Sequence, residues 1–313
     1  MRTPLPLPDP FESAPFTVAD SDSAGISRKR IYNGRFTSSS QGIRVCAERQ
    51  PSTTELLRAY TSITEQSFAS HQTAGFIWGF FHYSCEGDQE VFHISRPAGG
   101  PTPRRTNVRG HSTLLPAEEV TEYDGVRLTT RARTWLDLAE RLSVDELVVI
   151  ADQLIRYPRK EFEGRSEPYC TKNDLQRVID RHPRKRGVRK AREALDLARV
   201  GADSPPETRL RLALVYAGLP EPAVNIPIVD ENGIEWHQPD LSYPEFRISI
   251  QYDGGGHSEQ DQVDRDISRA EQTIAIDWSE VRVSNRHMSN EAKAAVAKVR
   301  SELVAKGWRP NRR

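Results

Sequence analysis

The chain has 313 residues, enough for two or three domains that each bury a core, and its 44 lysines and arginines are matched by 44 aspartates and glutamates. With no global positive charge, any contact with nucleic acid must come from local basic patches. Cys46, Cys85 and Cys170 lack Cys-x-x-Cys spacing, the start lacks a signal peptide's apolar core, and no apolar run nears the ~20 residues that cross a bilayer, so a cytoplasmic protein without a cysteine zinc site is expected.

Residues 1–13 are proline-rich and predict an unpacked tail. Residues 14–50 read as a small winged helix-turn-helix: Thr17 caps a short helix, Gly25 turns, Ser27 caps a second helix, and Phe36 to Val45 forms the wing. Arg28, Lys29 and Arg30 on that second helix either meet DNA phosphates or form a solvated basic face. Residues 51–142 predict a small α/β unit. It has helices around Leu56–Ile63, in Ser70–Gly79 and from Arg133, strands near Val91–Ser95, Val108–Ser112 and Gly125–Thr130, and a basic loop from Pro97 to Arg105.

Residues 143–202 predict a helical connector, opened by the capping-box spacing of Ser143 and Glu146 and continued by a helix from Lys172 to Asp180. A basic cluster follows, in which Arg184, Lys185 and Arg186 either track a phosphate backbone or make a charged, solvated helix start. In residues 203–313, Ser204-Pro205-Pro206-Glu207 has the form of a helix entry, with Glu207 bonding back to the cap. Asp240 opens a strand, Pro244-Glu245 turns it, and Phe246, Ile248 and Ile250 alternate with polar residues up to Gln251-Tyr252-Asp253 and a triple glycine. Such a hairpin brings Asp240 and Asp253 toward one sheet end, with Gln251 on the face of Asp253, where a hard cation is held. Trp278 and Val281 to Val283 read as a further core strand, Glu291 to Leu303 as a closing helix, and the fragment from about Ala202 is expected to fold alone.

The run from Pro239 to His257 resembles the very-short-patch-repair-like branch (the DUF559 type) of the PD-(D/E)XK nuclease superfamily, a likeness that extends from Ser204 to Val283. The resemblance implies a restriction-endonuclease-like mixed sheet flanked by helices and a magnesium (or manganese) site ligated by Asp240, Asp253 and Gln251. It also implies a Glu207 that helps organise the metal, and a His257 able to assist proton transfer. Gln251 stands where this branch carries glutamate, which removes a charge from the implied site. The first 142 residues are similar to AbiEi-type antitoxins, through the Ser70-His71…Trp78-Gly79 helix, the basic loop and Arg133-Thr134…Asp137-Leu138; that likeness implies DNA binding and a cognate toxin as partner. The expected fold class is α/β in a multidomain α+β arrangement. The expected function is DNA binding joined to a metal-dependent endonuclease-like domain, of full or weakened activity, the alternative being a non-catalytic or antitoxin-like DNA-binding regulator with a degenerate nuclease domain.

Overall fold

The computed structural model describes residues 7–80, 91–229, 233, 235–253 and 277–310. Helices and sheets mix along the chain, which falls into two units: Met1–Arg141 with Val178–Val188, and Leu142–Arg177 with Arg189–Arg313.

The first unit opens with β1 (Phe16–Thr17), α1 (Val18–Ser23), α2 (Arg28–Ile31), β2 (Phe36–Ser40) and β3 (Ile43–Cys46), the strands ordered β1-β3-β2. Thr17 caps α1 in a reciprocal box: its hydroxyl accepts the Asp20 N–H at 3.0 Å, and the Asp20 carboxylate accepts the Thr17 N–H at 2.8 Å. Gly25 makes the turn at φ 70°, a conformation glycine adopts without strain. Ser27 precedes α2 but makes no side-chain capping bond, and α2 is one turn long. The expected tail needs correction from residue 7 onward. Leu7 and Phe11 are buried with Phe16, Ile26, Ile31 and Phe36, and the Phe11 and Phe16 rings meet edge-on at 5.0 Å. Proline content suggested an unpacked segment, yet burying two apolar side chains, at roughly 1.5–3 kcal/mol each, outweighs that tendency.

The same unit continues through α3 (Thr53–Ser62), β4 (Phe68–Ala69), α4 (His71–Ile77), β5 (Phe92–Pro97), β6 (Val108–Thr113), β7 (Val120–Tyr123), β8 (Val126–Thr129) and α5 (Arg131–Leu138). The sheet order is β6-β5-β4-β8-β7, with β5–β6 and β4–β8 parallel and the other pairs antiparallel. Phe68, Ile94, Leu128, Trp135 and Leu136 are fully buried around the short central strand β4. A charged network is buried with them. Arg133 donates to Glu119 at 2.6 Å and Asp137 at 2.9 Å, and Lys185 reaches the same Asp137 at 2.7 Å. Burial alone would raise the Asp137 carboxyl pKa, but the Arg133 and Lys185 cations outweigh it and hold that pKa below its ordinary value.

The remaining elements are α6 (Val144–Ile155), α7 (Lys160–Glu163), α8 (Lys172–Arg181), α9 (Val188–Leu197), α10 (Pro205–Tyr216), β9 (Ala223–Val224), β10 (Ile228–Val229), β11 (Glu235–His237), β12 (Leu241–Tyr243), β13 (Ile248–Asp253), β14 (Ser279–Ser284) and α11 (Ser289–Ala305). In the second unit, strands order as β14-β13-β12-β9, with β12 antiparallel to both neighbours and β13–β14 parallel. Leu210 and Leu214 of α10 and Ala295, Val299 and Leu303 of α11 pack with Leu241, Ile248, Ile250, Val281 and Val283 of the sheet. A second buried ion pair ties α10 to α6, Arg211 donating to Asp152 at 3.1 Å. Among the described residues no helix is long and apolar enough to cross a membrane.

Candidate functional site

The hairpin of β12 and β13 positions the acidic residues singled out above. A 3-10 turn over Pro244–Phe246 ends at Arg247, whose φ of 51° reverses the chain, so β13 begins at Ile248 rather than at Phe246. Leu241 pairs with Ile250 and Tyr243 with Ile248; extending that register by a residue sets Asp240 opposite Gln251. Ile248 and Ile250 face the core with Tyr252 packed against it, which leaves Gln251 and Asp253 on the other face.

Asp240 and Gln251 meet directly. The Gln251 Nε2 amide donates to Asp240 Oδ2 at 3.0 Å, and the same oxygen accepts the Tyr252 N–H at 2.7 Å. Gln251 Oε1 is buried and has no hydrogen-bond partner among the described residues. Asp253 ends β13, half-buried, in register with Ser284 of β14. His257 and the triple glycine lie outside the described residues.

Glu207 sits at the entry of α10, 6 % exposed. Its carboxylate accepts the Asp203 N–H at 2.9 Å, the Ser204 hydroxyl at 2.7 Å and the Asn225 side-chain amide at 3.1 Å. It reaches back to the residues that start the helix, as the Ser-Pro-Pro-Glu spacing predicts, although the Ser204 hydroxyl donates to Glu207 instead of accepting a helix N–H. Burial raises the Glu207 pKa despite these donors. Asn225 was not visible as a site residue in the sequence. With φ at 48°, its backbone N–H reaches the Asp240 carbonyl at 3.1 Å while its side chain holds Glu207, so it links the helix entry to the hairpin. The available signal was weak: asparagine tolerates the left-handed conformation better than most residues.

Among the described residues, the oxygens around Asp240 do not make up a magnesium or manganese site. A hard cation needs several converging oxygens, whereas an amide N–H and a backbone N–H point at Asp240 Oδ2. Among the described residues, Glu207, Asp240 and Asp253 do not form a group with three ligand atoms within 4.8 Å of one another; His71, His93 and His111 of the first unit do. Beside the hairpin lies a hollow of about 640 Å3 lined by Tyr157, Arg159, Phe162, Asn225 and Gln238, with Tyr157 64 % and Phe162 79 % exposed.

The candidate DNA contacts differ in how committed they are. Arg28 pairs with Asp22 at 3.0 Å on the surface, Lys29 is exposed, and Arg30 is half-buried. In the second cluster Arg184 is exposed and Arg186 pairs with Glu140 at 3.1 Å, but Lys185 is directed at the buried Asp137.

No family model matches the chain. No solved structure matches it either. Two proteins of Mycobacterium tuberculosis are similar to it: "Uncharacterized protein MT2308" of strain CDC 1551 / Oshkosh and "Uncharacterized protein Rv2248" of strain ATCC 25618 / H37Rv. Each is 24 % identical over 176 residues, 56 % of this chain and 61 % of the relative. The match therefore spans about three fifths of the length of these curated relatives, whose names state no activity.

Proposed function

We propose that this chain is a DNA-binding protein whose C-terminal domain is an endonuclease-like scaffold with most of its cutting capacity lost. The observation that carries the reading is the hydrogen bond from Gln251 Nε2 to Asp240 Oδ2, which sets an amide donor where a cation would need an oxygen. The mixed sheet and the helices α10 and α11 packed on it support the nuclease-like part. Exposed Tyr157 and Phe162 suit stacking of unpaired bases, next to an Arg159 that pairs with Asp203. The winged unit, with Arg28 and Lys29 on its surface, offers a second backbone contact.

Metal-dependent nicking of plasmid by wild type, Gln251→Glu and Asp240→Ala tests the reading, alongside DNA-binding assays. Wild type should bind DNA and nick it weakly or not at all. Gln251→Glu should nick faster with magnesium or manganese, and Asp240→Ala should abolish that gain while leaving DNA binding in place. Rapid wild-type nicking that depends on Asp240 would overturn the lost-capacity reading, and absence of salt-sensitive DNA binding would overturn the function itself.

A further inference from the structure

The first unit holds a cluster that the proposed function does not use. His71 opens α4, His93 lies on β5 and His111 on β6. The parallel pairing of β5 and β6 puts Ser95 in register with His111 and His93 with Arg109, which brings the two imidazoles together, with His111 Nε2 and His93 Nδ1 3.0 Å apart. The His71 ring stacks on that of His111 with centroids 4.1 Å apart. One ligand nitrogen from each ring falls within 4.8 Å of the others.

Three features around the rings point to a ligand rather than to packing alone. His71 has a φ of 50°, an uncommon conformation for a residue with a side chain, held where it aims the ring at the other two. The Ser70 hydroxyl lies 2.9 Å from His71 Nδ1 and 2.6 Å from the Ser95 hydroxyl, a hydrogen-bonded support of the kind that orients metal-ligating histidines. Burial also keeps the rings in the neutral form that can ligate, lowering His71 to about 4 and His93 to about 3.

We infer that His71, His93 and His111 form a binding site for a divalent transition-metal ion of the zinc class. Three imidazoles with neither thiolate nor carboxylate among them select a borderline cation over magnesium or calcium, and they leave a coordination position for water. The ion would take over the place of the hydrogen bond between His111 and His93. This site is independent of the β12–β13 hairpin, so its fate does not depend on the nuclease-like reading.

The test uses the full chain, free of any histidine tag and stripped with a chelator, titrated with ZnCl2 by calorimetry and with CoCl2 by visible absorption. Wild type is expected to take up a single tight equivalent and to give the d–d bands of low-coordinate cobalt. His111→Gln, and His71→Asn, which keeps a residue tolerant of the left-handed backbone, should each weaken binding by at least about 10-fold, the lower end of what even supporting residues contribute. A second readout needs no variant: Zn2+ should protect His71 and His111 of wild type from diethyl pyrocarbonate, mapped by mass spectrometry. No uptake by wild type, or unchanged modification of these histidines with zinc bound, overturns the site. So does zinc that survives both variants and is lost in Cys46→Ser.

Discussion

Gln251 is the residue on which most turns, and its effect on stability can be separated from its effect on activity. In Gln251→Glu two carboxylates face each other across the hairpin without a proton or cation between them, while Asp240 loses a donor. The variant is expected to lose about 1–3 kcal/mol in urea unfolding with chelator present. Millimolar magnesium or manganese should recover part of that loss, since an ion that binds only the folded form stabilises it by mass action. Equal unfolding curves with and without metal would show that the extra charge builds no cation site. Glu207 gives the complementary case. Its folded pKa is raised by burial, so the folded chain binds more protons than the unfolded one just above the ordinary carboxyl value of 4.5, and its contribution to stability falls as pH rises through that window. Glu207→Gln should remove that slope and cost about 0.5–1.5 kcal/mol, because the amide oxygen can keep the Asp203 and Asn225 donors and the amide nitrogen can donate to the Ser204 hydroxyl, but the bonds lose their charge. Comparing denaturation of the two proteins from pH 4 to pH 7 checks both the sign and the size.

At the scale of elements, the sequence was most legible where a single side chain marks an end. Thr17 and Ser143 each begin a helix in a full capping box, the second closed by Glu146, whereas the equal box of Ser52 and Glu55 went unread. In the hairpin the shared face of Gln251 and Asp253 was legible, since alternation fixes which side chains share a face, but the register was not, because the turn runs on to Arg247. What stayed hidden depends on distant partners. β4 is two residues long yet central in its sheet, far too short for a periodicity to show. The three histidines come from a helix start and two strands, with no local spacing to announce them. Leu7 and Phe11 were masked by the prolines around them. The Arg133 network also needed the fold: Asp137 lies one turn along the same helix, but Glu119 and His182 are far from Arg133 in the chain. Truncating Arg133 to methionine should leave Glu119 and Asp137 buried without the guanidinium they share, with Lys185 still on Asp137 and His182 on Glu119, and cost about 3 kcal/mol, read as a lower urea midpoint. A loss below about 1 kcal/mol would mean that the network relaxes into water.

For the whole molecule, the position of a domain boundary is the measurable question. The expected start near Ala202 cuts between α10 and α6, yet Asp152 of α6 accepts from Arg211 at 3.1 Å, from the Thr208 hydroxyl at 2.9 Å and from the Arg199 N–H at 2.7 Å. A fragment from residue 202 leaves the guanidinium of Arg211, 1 % exposed in the full chain, with Glu221 at 3.2 Å but without the buried Asp152, and uncovers the helix face that packs on α6. That fragment is expected to be molten or insoluble, and one from residue 142 to fold, as judged by near-ultraviolet circular dichroism and a cooperative urea transition. Sharp cooperative unfolding of the shorter piece would restore the earlier boundary. DNA binding, if it rests on local clusters in a chain of zero net charge, should weaken steeply with salt. The informative variant is Arg184→Ala with Arg186→Ala, sparing Lys185, whose loss would disturb Asp137. A flatter salt slope assigns the contact to that cluster, and an unchanged slope moves it to Arg28 and Lys29.

The pairing of Asp240 with Gln251 also bears on the history open to this chain. The register that sets them opposite each other is held by backbone bonds between β12 and β13, with Leu241 on Ile250, and so does not depend on which side chain occupies position 251. Glutamine and glutamate codons differ in their first base alone. A single transversion can therefore exchange an amide for a carboxylate without rebuilding the hairpin, so a lineage carrying this scaffold stays within a single mutational step of testing its acidic partner again.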